Sequence, residues 1–257
     1  MKKQITFLAG LSLLLGLTFT ACEEEGNDTP EERVLYPKTI TEYENGVAGE
    51  PETFEYNSKK QLIERDYGYG NVETYEYDED GKVILINYYD EGELYDSDSL
   101  IYNDNDQIVK QQNYSASGDK WGWYIYEYNN DGYISKRLEY LSDGTHYSNR
   151  EYIYDQDGNL INEKTYWRNY ESELISTDTY DEINYEYDDK NNILKSLSLP
   201  FRYETHINNI TKEIFTQTPD RDDNYTITYS YTYNKDNYPK EYIDETGKKG
   251  VIDYVEL

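Results

Sequence analysis

Along this chain, tyrosines recur two residues apart, then a run of polar residues, then a single aliphatic residue. The pattern is clearest in Tyr75-Glu76-Tyr77-Asp78-Glu79-Asp80-Gly81-Lys82-Val83, Tyr126-Glu127-Tyr128-Asn129-Asn130-Asp131-Gly132-Tyr133-Ile134 and Tyr152-Ile153-Tyr154-Asp155-Gln156-Asp157-Gly158-Asn159-Leu160. Alternate positions put both rings on one face of a strand, and Tyr favours strands. Asp or Asn then opens a turn, because its side chain bonds backbone groups just ahead. Gly three residues later permits the left-handed backbone of a type I turn with a G1 bulge. The aliphatic residue begins the return strand, so the phrase is a β-hairpin.

Weaker copies keep the order, with Leu62, Ile108 and Ile193 as return residues after Tyr56, Tyr102 and Tyr187. In place of the turn glycine they carry Lys60, Asp106 and Asn192 or its neighbours. Asn and Asp tolerate the left-handed region better than Lys does. The second tyrosines of all copies are Tyr56, Tyr77, Tyr102, Tyr128, Tyr154, Tyr187 and Tyr233, spaced by 21, 25, 26, 26, 33 and 46 residues. A recurring interval of this size marks a repeat architecture. The last interval is about two periods long, so a degraded copy is expected around Tyr203 to Ile214.

Strand character begins near Lys38, with Thr39 to Tyr43 reading as one half of a hairpin. Repeats then run to Tyr166, and Trp167 to Tyr180 reads as a longer insertion. Pro200 and Pro219 mark irregular stretches, since Pro is poorly tolerated within a sheet. Val251 to Val255 is expected to be the last strand. No segment after Ala21 has a helical period, and no linker divides residues 38–257, which read as one repeat domain.

Residues 1–21 read as an export signal. Lys2 and Lys3 precede an apolar run from Ile5 to Phe19 that is short for a membrane span. Thr20-Ala21-Cys22 resembles the end of a bacterial lipoprotein signal, although Phe19 stands where such signals usually carry Leu. That resemblance implies acylation of Cys22 and a membrane hold through its acyl chains. Glu23, Glu24 and Glu25 follow at once, an acidic cluster similar to the surface-export signal of Bacteroidetes-type lipoproteins. Residues 22–37 have no apolar period and are expected to form an acidic, disordered tether.

Tyrosine supplies 33 of the 257 residues, while hydrophobic residues of all kinds make up 36%. Few aliphatics are left for a two-layer core, so rings must fill it, each with its hydroxyl partnered or wet. This favours one extended sheet, curled or closed, over a sandwich. The net charge of -29 becomes more negative by two once the signal leaves with Lys2 and Lys3. Such a field repels nucleic acid and anionic lipid surfaces. The single cysteine leaves no disulfide to form. A transmembrane barrel is disfavoured, because the positions facing away from the tyrosines include Arg65, Gln111 and Arg137.

The hairpin phrase resembles the YD repeats of Rhs and Tc-type toxin shells, over most of Thr53 to Tyr166, then Tyr185 to Lys195 and Tyr231 to Lys240. In that family, hairpins add side by side into a spiralling sheet around a volume. The chain is too short for such a shell, and it looks more like a small Bacteroidetes surface lipoprotein built from the same unit. The resemblance implies an all-β fold, consecutive antiparallel β-hairpin repeats in one curled up-and-down sheet, barrel-like or spiral, of roughly 14 to 16 strands.

Candidate chemistry is sparse. His146 and His206 stand apart without a nucleophile or zinc motif around either. Asp78 to Gly81 and Asp155 to Asn159 resemble the start of calcium loops, but the twelfth positions are Tyr89 and Tyr166 where a Glu is needed; turn chemistry accounts for them. No metal, cofactor or catalytic residue is nominated. Trp121, Trp123 and Tyr124, with Trp167 and Tyr170, are the aromatics that stand out from the repeat, and they are the candidate ligand-binding residues for a glycan or protein. Asp98-Ser99-Leu100 resembles a Bacteroidetes O-glycosylation acceptor. The expected role is non-catalytic binding or structural interaction by a lipid-anchored protein of the outer membrane, displayed at the cell surface. The rival is a carbohydrate-binding accessory lipoprotein of a nutrient uptake system, with a glycan hydrolase behind it.

Overall fold

The computed structural model describes residues 33–197, 206–219 and 223–257, and holds strands and turns with no helix among them. The strands are β1 (Tyr36–Glu44), β2 (Val47–Ala48), β3 (Glu52–Tyr56), β4 (Leu62–Asp66), β5 (Val72–Tyr77) and β6 (Val83–Asp90). Next come β7 (Glu93–Tyr102), β8 (Ile108–Ser115), β9 (Lys120–Tyr128), β10 (Ile134–Leu141), β11 (His146–Tyr154) and β12 (Leu160–Arg168). The last are β13 (Ile175–Tyr187), β14 (Ile210–Thr218), β15 (Tyr225–Tyr233), β16 (Pro239–Asp244) and β17 (Lys249–Val255). From β3 onward each strand pairs antiparallel with the next, and β17 returns to pair with β1. The short β2 and β3 share one place beside β1, so the sheet closes as a 16-strand barrel. Closure removes the exposed edges that an open sheet of this length would carry. The expectation of an all-β, up-and-down sheet therefore holds in its barrel form.

The turn chemistry acts as the sequence implies. Asn57, Asp78, Asn103, Asn129, Asp155 and Asn234 each place a side-chain oxygen on backbone N–H groups of their own turn, as in Asp155 Oδ1 with the N–H of Asp157 and Asn159, both 2.9 Å. Three residues on, the backbone is left-handed at Lys60, Gly81, Asp106, Gly132, Gly158 and Asn237. On the return strand the register then slips by a residue, as between Glu76–Leu85 and Tyr77–Val83, a bulge that sharpens the local twist.

Two expectations about the repeat change. Tyr187 lies opposite Ile210, so Ile193 is not its return residue. The degraded copy expected around Tyr203 to Ile214 lies partly outside the described residues; of it, Ile210 to Ile214 belong to β14, which pairs directly with β13. Asp188 clamps the base of the connection between these two strands, accepting from the backbone N–H and the side-chain amide of Asn209. The stretch from Trp167 to Tyr180 is largely strand, with Tyr166 opposite Tyr180 and Arg168 opposite Ile175, so only 169–174 loop out. At the other end, β1 begins at Tyr36, and Leu35 and Pro37 are buried, so the barrel takes in the residues just ahead of Lys38.

The marker tyrosines Tyr56, Tyr77, Tyr102, Tyr128 and Tyr154 point into the barrel, where they pack against the core of the return residues Leu62, Val83, Ile108, Ile134 and Leu160 and the buried Ile40, Phe54, Ile86, Leu100 and Ile252. Their hydroxyls are placed with equal regularity. Tyr77, Tyr102, Tyr128 and Tyr187 donate to the carbonyls of Leu62, Val83, Ile108 and Leu160, at 2.6, 2.7, 2.8 and 2.5 Å. Each ring thus ties its hairpin to the start of the preceding return strand. Burial pushes these phenols up; Tyr77 and Tyr128 both reach about 12.

Above this layer the lumen turns polar. Asp98 is buried and accepts from Tyr88, Gln111 and Asn113 at 2.8, 2.7 and 2.5 Å. Burial pushes its carboxyl up, against the pull of those three donors. Arg65 pairs with Glu52, and Arg150 with Glu163 at 3.0 Å. Arg65, Gln111 and Arg137, all expected to face away from the tyrosines, are carried inward by the bulges. The outward positions still carry charge, at mid-strand in Lys164 and Glu182. Lys136 pairs with Glu151, Lys164 with Glu182 and Lys212 with Glu186, at 3.3, 3.5 and 2.9 Å, each directly across two strands.

The hydroxyl ladder sets an expected contrast. Tyr128→Phe strands the Ile108 carbonyl and costs about 1 kcal/mol in urea unfolding. Tyr154→Phe removes a buried hydroxyl that has no partner among the described residues, so it stays within about 0.5 kcal/mol of the parent. Equal losses for the two would show that the hydroxyl contacts contribute nothing.

Candidate functional site

The two ends of the barrel differ. One carries the repeated Asx turns and a sealing turn, the described parts of the connection between β13 and β14, residues 188–197 and 206–209. Leu197 of that turn is buried in the core, with Ile193 and Leu194 packed against it. Asn208 fastens it to a neighbouring turn through paired bonds with Asn159, both 3.0 Å. The other end is made of the connections between copies, several of them short turns with a left-handed glycine, as at Gly92, Gly118, Gly144 and Gly247. Two concavities bear on function.

The first lies on the rim. Strand pairing carries β12 and β13 past the barrel wall, so Trp167, Arg168 and Tyr170 stand beside Asp181 of β13 and Gln217 of β14. Together they line an open cleft of about 610 Å³. The Trp167 indole donates to Asp181 Oδ2 at 2.9 Å, and the Gln217 amide to Asp181 Oδ1 at 3.1 Å. The carboxylate is held between them. Tyr147 packs its ring edge-on against Trp167 at 5.8 Å and 74°. Tyr170 is 79% exposed and Trp167 38%. The Gln217 side-chain carbonyl oxygen is buried with no partner among the described residues. Two flat rings, a fixed carboxylate and an unused acceptor suit a molecule with apolar faces and hydroxyl edges.

The other sequence-nominated aromatics do not join this cleft. Trp121 and Trp123 alternate on the outer face of β9, as their spacing implies. Trp123 is already covered, stacked on Tyr140 at 5.3 Å and 8° with Lys120 and Lys110 over its ring at 4.4 and 5.4 Å. Trp121 remains 42% exposed. Tyr124 faces the lumen beneath Arg137, 4.6 Å from its ring. The five candidates therefore divide into a rim pair, an outer pair and one lumenal ring. Arg168, Asp181 and Gln217 were not nominated, and nothing in their local sequence marks them. Of Asp98-Ser99-Leu100, the first and last are buried in the lumen. Cys22, Glu23, Glu24 and Glu25 lie outside the described residues.

The second concavity is lumenal, about 430 Å³, between the sealing turn and β14 to β17, β1, β3 and β4. Glu42 and Glu52 both line it. Burial pushes the Glu52 carboxyl up despite Arg65. Burial acts on Glu42 as well, but the bonds from Lys248 and Tyr242, each 2.7 Å, outweigh it and hold the carboxyl below its usual range. His206 reaches in from the sealing turn, with Nδ1 2.8 Å from the Tyr187 hydroxyl. Burial drives its pKa down to about 4.

Family models and curated protein sequences give no match to this chain. Among solved structures, the chain is similar to a porin-like protein from Bacteroides uniformis, with a TM-score of 0.53 and 14% identity over 84% of this chain and 96% of that one. A porin-like protein from Bacteroides vulgatus gives 0.50 and 11%, over 87% and 100% of the two chains. Tc toxin shells are also among the neighbours; TcdB2-TccC3-TEV has a TM-score of 0.34 and 12% identity, over 77% of this chain and 10% of its own. At these identities the likeness to the porin-like proteins is one of fold.

The depressed His206 fixes a pH dependence. Below the usual 6.5 the unfolded chain takes up a proton that the folded imidazole refuses until about 4. This contribution to stability is complete above 6.5 and shrinks as the pH falls towards 4. Melting temperatures across that window are expected to fall less steeply for His206→Asn than for the parent. Parallel curves would contradict the depressed value.

Proposed function

We propose that this chain is a non-catalytic, carbohydrate-binding protein of the cell envelope, held by acyl chains on Cys22 and engaging its ligand at the rim cleft. The cleft carries the reading. Trp167 and Tyr170 offer ring faces on which the C–H face of a sugar stacks, while Asp181, Gln217 and Arg168 meet its hydroxyls. Binding without chemistry fits the lumenal carboxylates, because Glu52 is committed to Arg65 and Glu42 to Lys248.

The lipoprotein reading rests on the signal ending at Cys22, and surface display on Glu23 to Glu25. The cross-strand ion pairs on the outer wall support a barrel held outside the bilayer, since lipid-facing strands do not carry Lys and Glu at their centres. The porin-like Bacteroides neighbours accord with an envelope location. The finer assignment of the hairpins as YD-type units rests on the phrase itself together with the barrel that the hairpins build.

Two measurements test this. Binding to a broad glycan array, followed by Trp fluorescence, is expected to yield hits that Trp167→Ala weakens about tenfold, while Trp121→Ala leaves them intact. A blank array, or equal loss from both variants, removes the rim cleft as a sugar site. Separately, labelled palmitate is expected to mark the parent and not Cys22→Ala, which then leaves the membrane fraction; a labelled variant defeats the anchor.

A further inference from the structure

The lumenal pocket has chemistry that the rim cleft does not explain. Its two cations are already matched: Arg65 binds Glu52, and Lys248 binds Glu42 at 2.7 Å. The third carboxylate, Asp244, is held by neutral donors, the N–H groups of Thr246 and Lys248 at 2.8 and 3.0 Å and the Thr246 hydroxyl at 2.6 Å. An ion passing between the pairs would give up its hydration and find no uncompensated partner among Glu42, Glu52, Arg65 and Lys248. A neutral molecule meets no such barrier.

The hydrogen-bonding capacity that is left over is specific. The Tyr187 hydroxyl spends its only proton on the Leu160 carbonyl, 2.5 Å away. Toward His206 it can therefore only accept, so Nδ1 carries the imidazole proton across the 2.8 Å contact. With the ring neutral, Nε2 holds a bare lone pair, and no described residue bonds to it. Paired carboxylates also keep unused lone pairs, and Arg65 keeps unused N–H groups. Tyr229, Tyr231 and Tyr242 supply ring surface, and Ile193 and Leu194 an apolar floor. The volume of about 430 Å³ lies within the range of small-molecule sites.

We propose that the lumenal pocket is a second binding site, for a small neutral polyol of monosaccharide size, in which His206 Nε2 accepts a hydroxyl proton from the ligand. Several hydroxyls, each donor and acceptor at once, match the mixed capacity of the wall, and a ring with C–H faces matches the phenols. The proposal does not depend on the rim cleft binding a glycan, because the two sites share no residue.

The test is carried out on the mature chain by long-range proton–nitrogen NMR of the histidine side chains. Without ligand, His206 is expected to show a protonated Nδ1 and a bare Nε2. D-glucose, D-galactose and myo-inositol are then added at millimolar concentration, with D-glucuronate and D-glucosamine as charged counterparts. At least one neutral probe is expected to shift the Nε2 resonance and raise the melting temperature, while the charged ones do neither. His206→Asn keeps a donor toward Tyr187 and loses the Nε2 acceptor, so it should weaken that binding about tenfold. Trp167→Ala should leave it unchanged, which separates this site from the rim cleft. Silence of Nε2 towards all three neutral probes overturns the proposal, as does a stronger response to a charged one. Unaltered binding by a folded His206→Asn does the same. If that variant does not fold, the resonance shift in the parent chain decides.

Discussion

A buried phenol costs stability unless its hydroxyl has a partner, and this condition shapes most of the barrel. The chain has too few aliphatic residues to fill a closed sheet of this size, so tyrosine rings fill it. Each ring arrives with a polar atom attached. The repeat disposes of that atom by delivering it to a backbone carbonyl at the start of the preceding return strand, as Tyr77 does at Leu62 and Tyr102 at Val83. The contact that satisfies the ring also joins one hairpin to the next. Tyr154 shows the condition by departing from it. Its ring stacks on Tyr133 at 4.9 Å and 21°, and its hydroxyl has no partner among the described residues.

Closure sorts polarity in a way that hairpins alone do not. Inside, an aliphatic and aromatic layer near the Asx turns gives way to Asp98, Gln111, Asn113, Arg150 and Glu163 further along the same strands. The buried carboxylate of Asp98 is stable there because three side chains converge on it from β6 and β8. Outside, lysines and glutamates pair across strands where a bilayer-spanning barrel has an apolar band. The likeness to the porin-like proteins is one of fold.

The Asx turn recurs at one end, where Leu197 is also buried in the core. The connections at the other end lie between copies, and several are short turns with a left-handed glycine, as at Gly92, Gly118, Gly144 and Gly247. The rim cleft lies there, where β12 and β13 overshoot, and the lumenal pocket reaches from Asn192, Ile193 and Leu194 to Asp244 and Lys248.

The sequence by itself determined the hairpin unit, its inward tyrosines, its turn residues down to the strained Lys60, and a sheet that curls. These are local matters, set by side-chain alternation and by backbone preferences within nine residues. It misplaced the return partner of Tyr187, taking Ile193 for Ile210, because a long connection clamped by Asp188 and Asn209 looks in one dimension like a missing repeat. It grouped Trp121, Trp123, Tyr124, Trp167 and Tyr170 by ring type, and the fold scattered them, because adjacent residues of a strand face opposite sides. Only the tertiary structure closed β17 onto β1, carried Arg65, Gln111 and Arg137 inward at the bulges, and brought Trp167, Asp181 and Gln217 together. Those outcomes depend on register between distant strands, which only the packing of the completed barrel fixes.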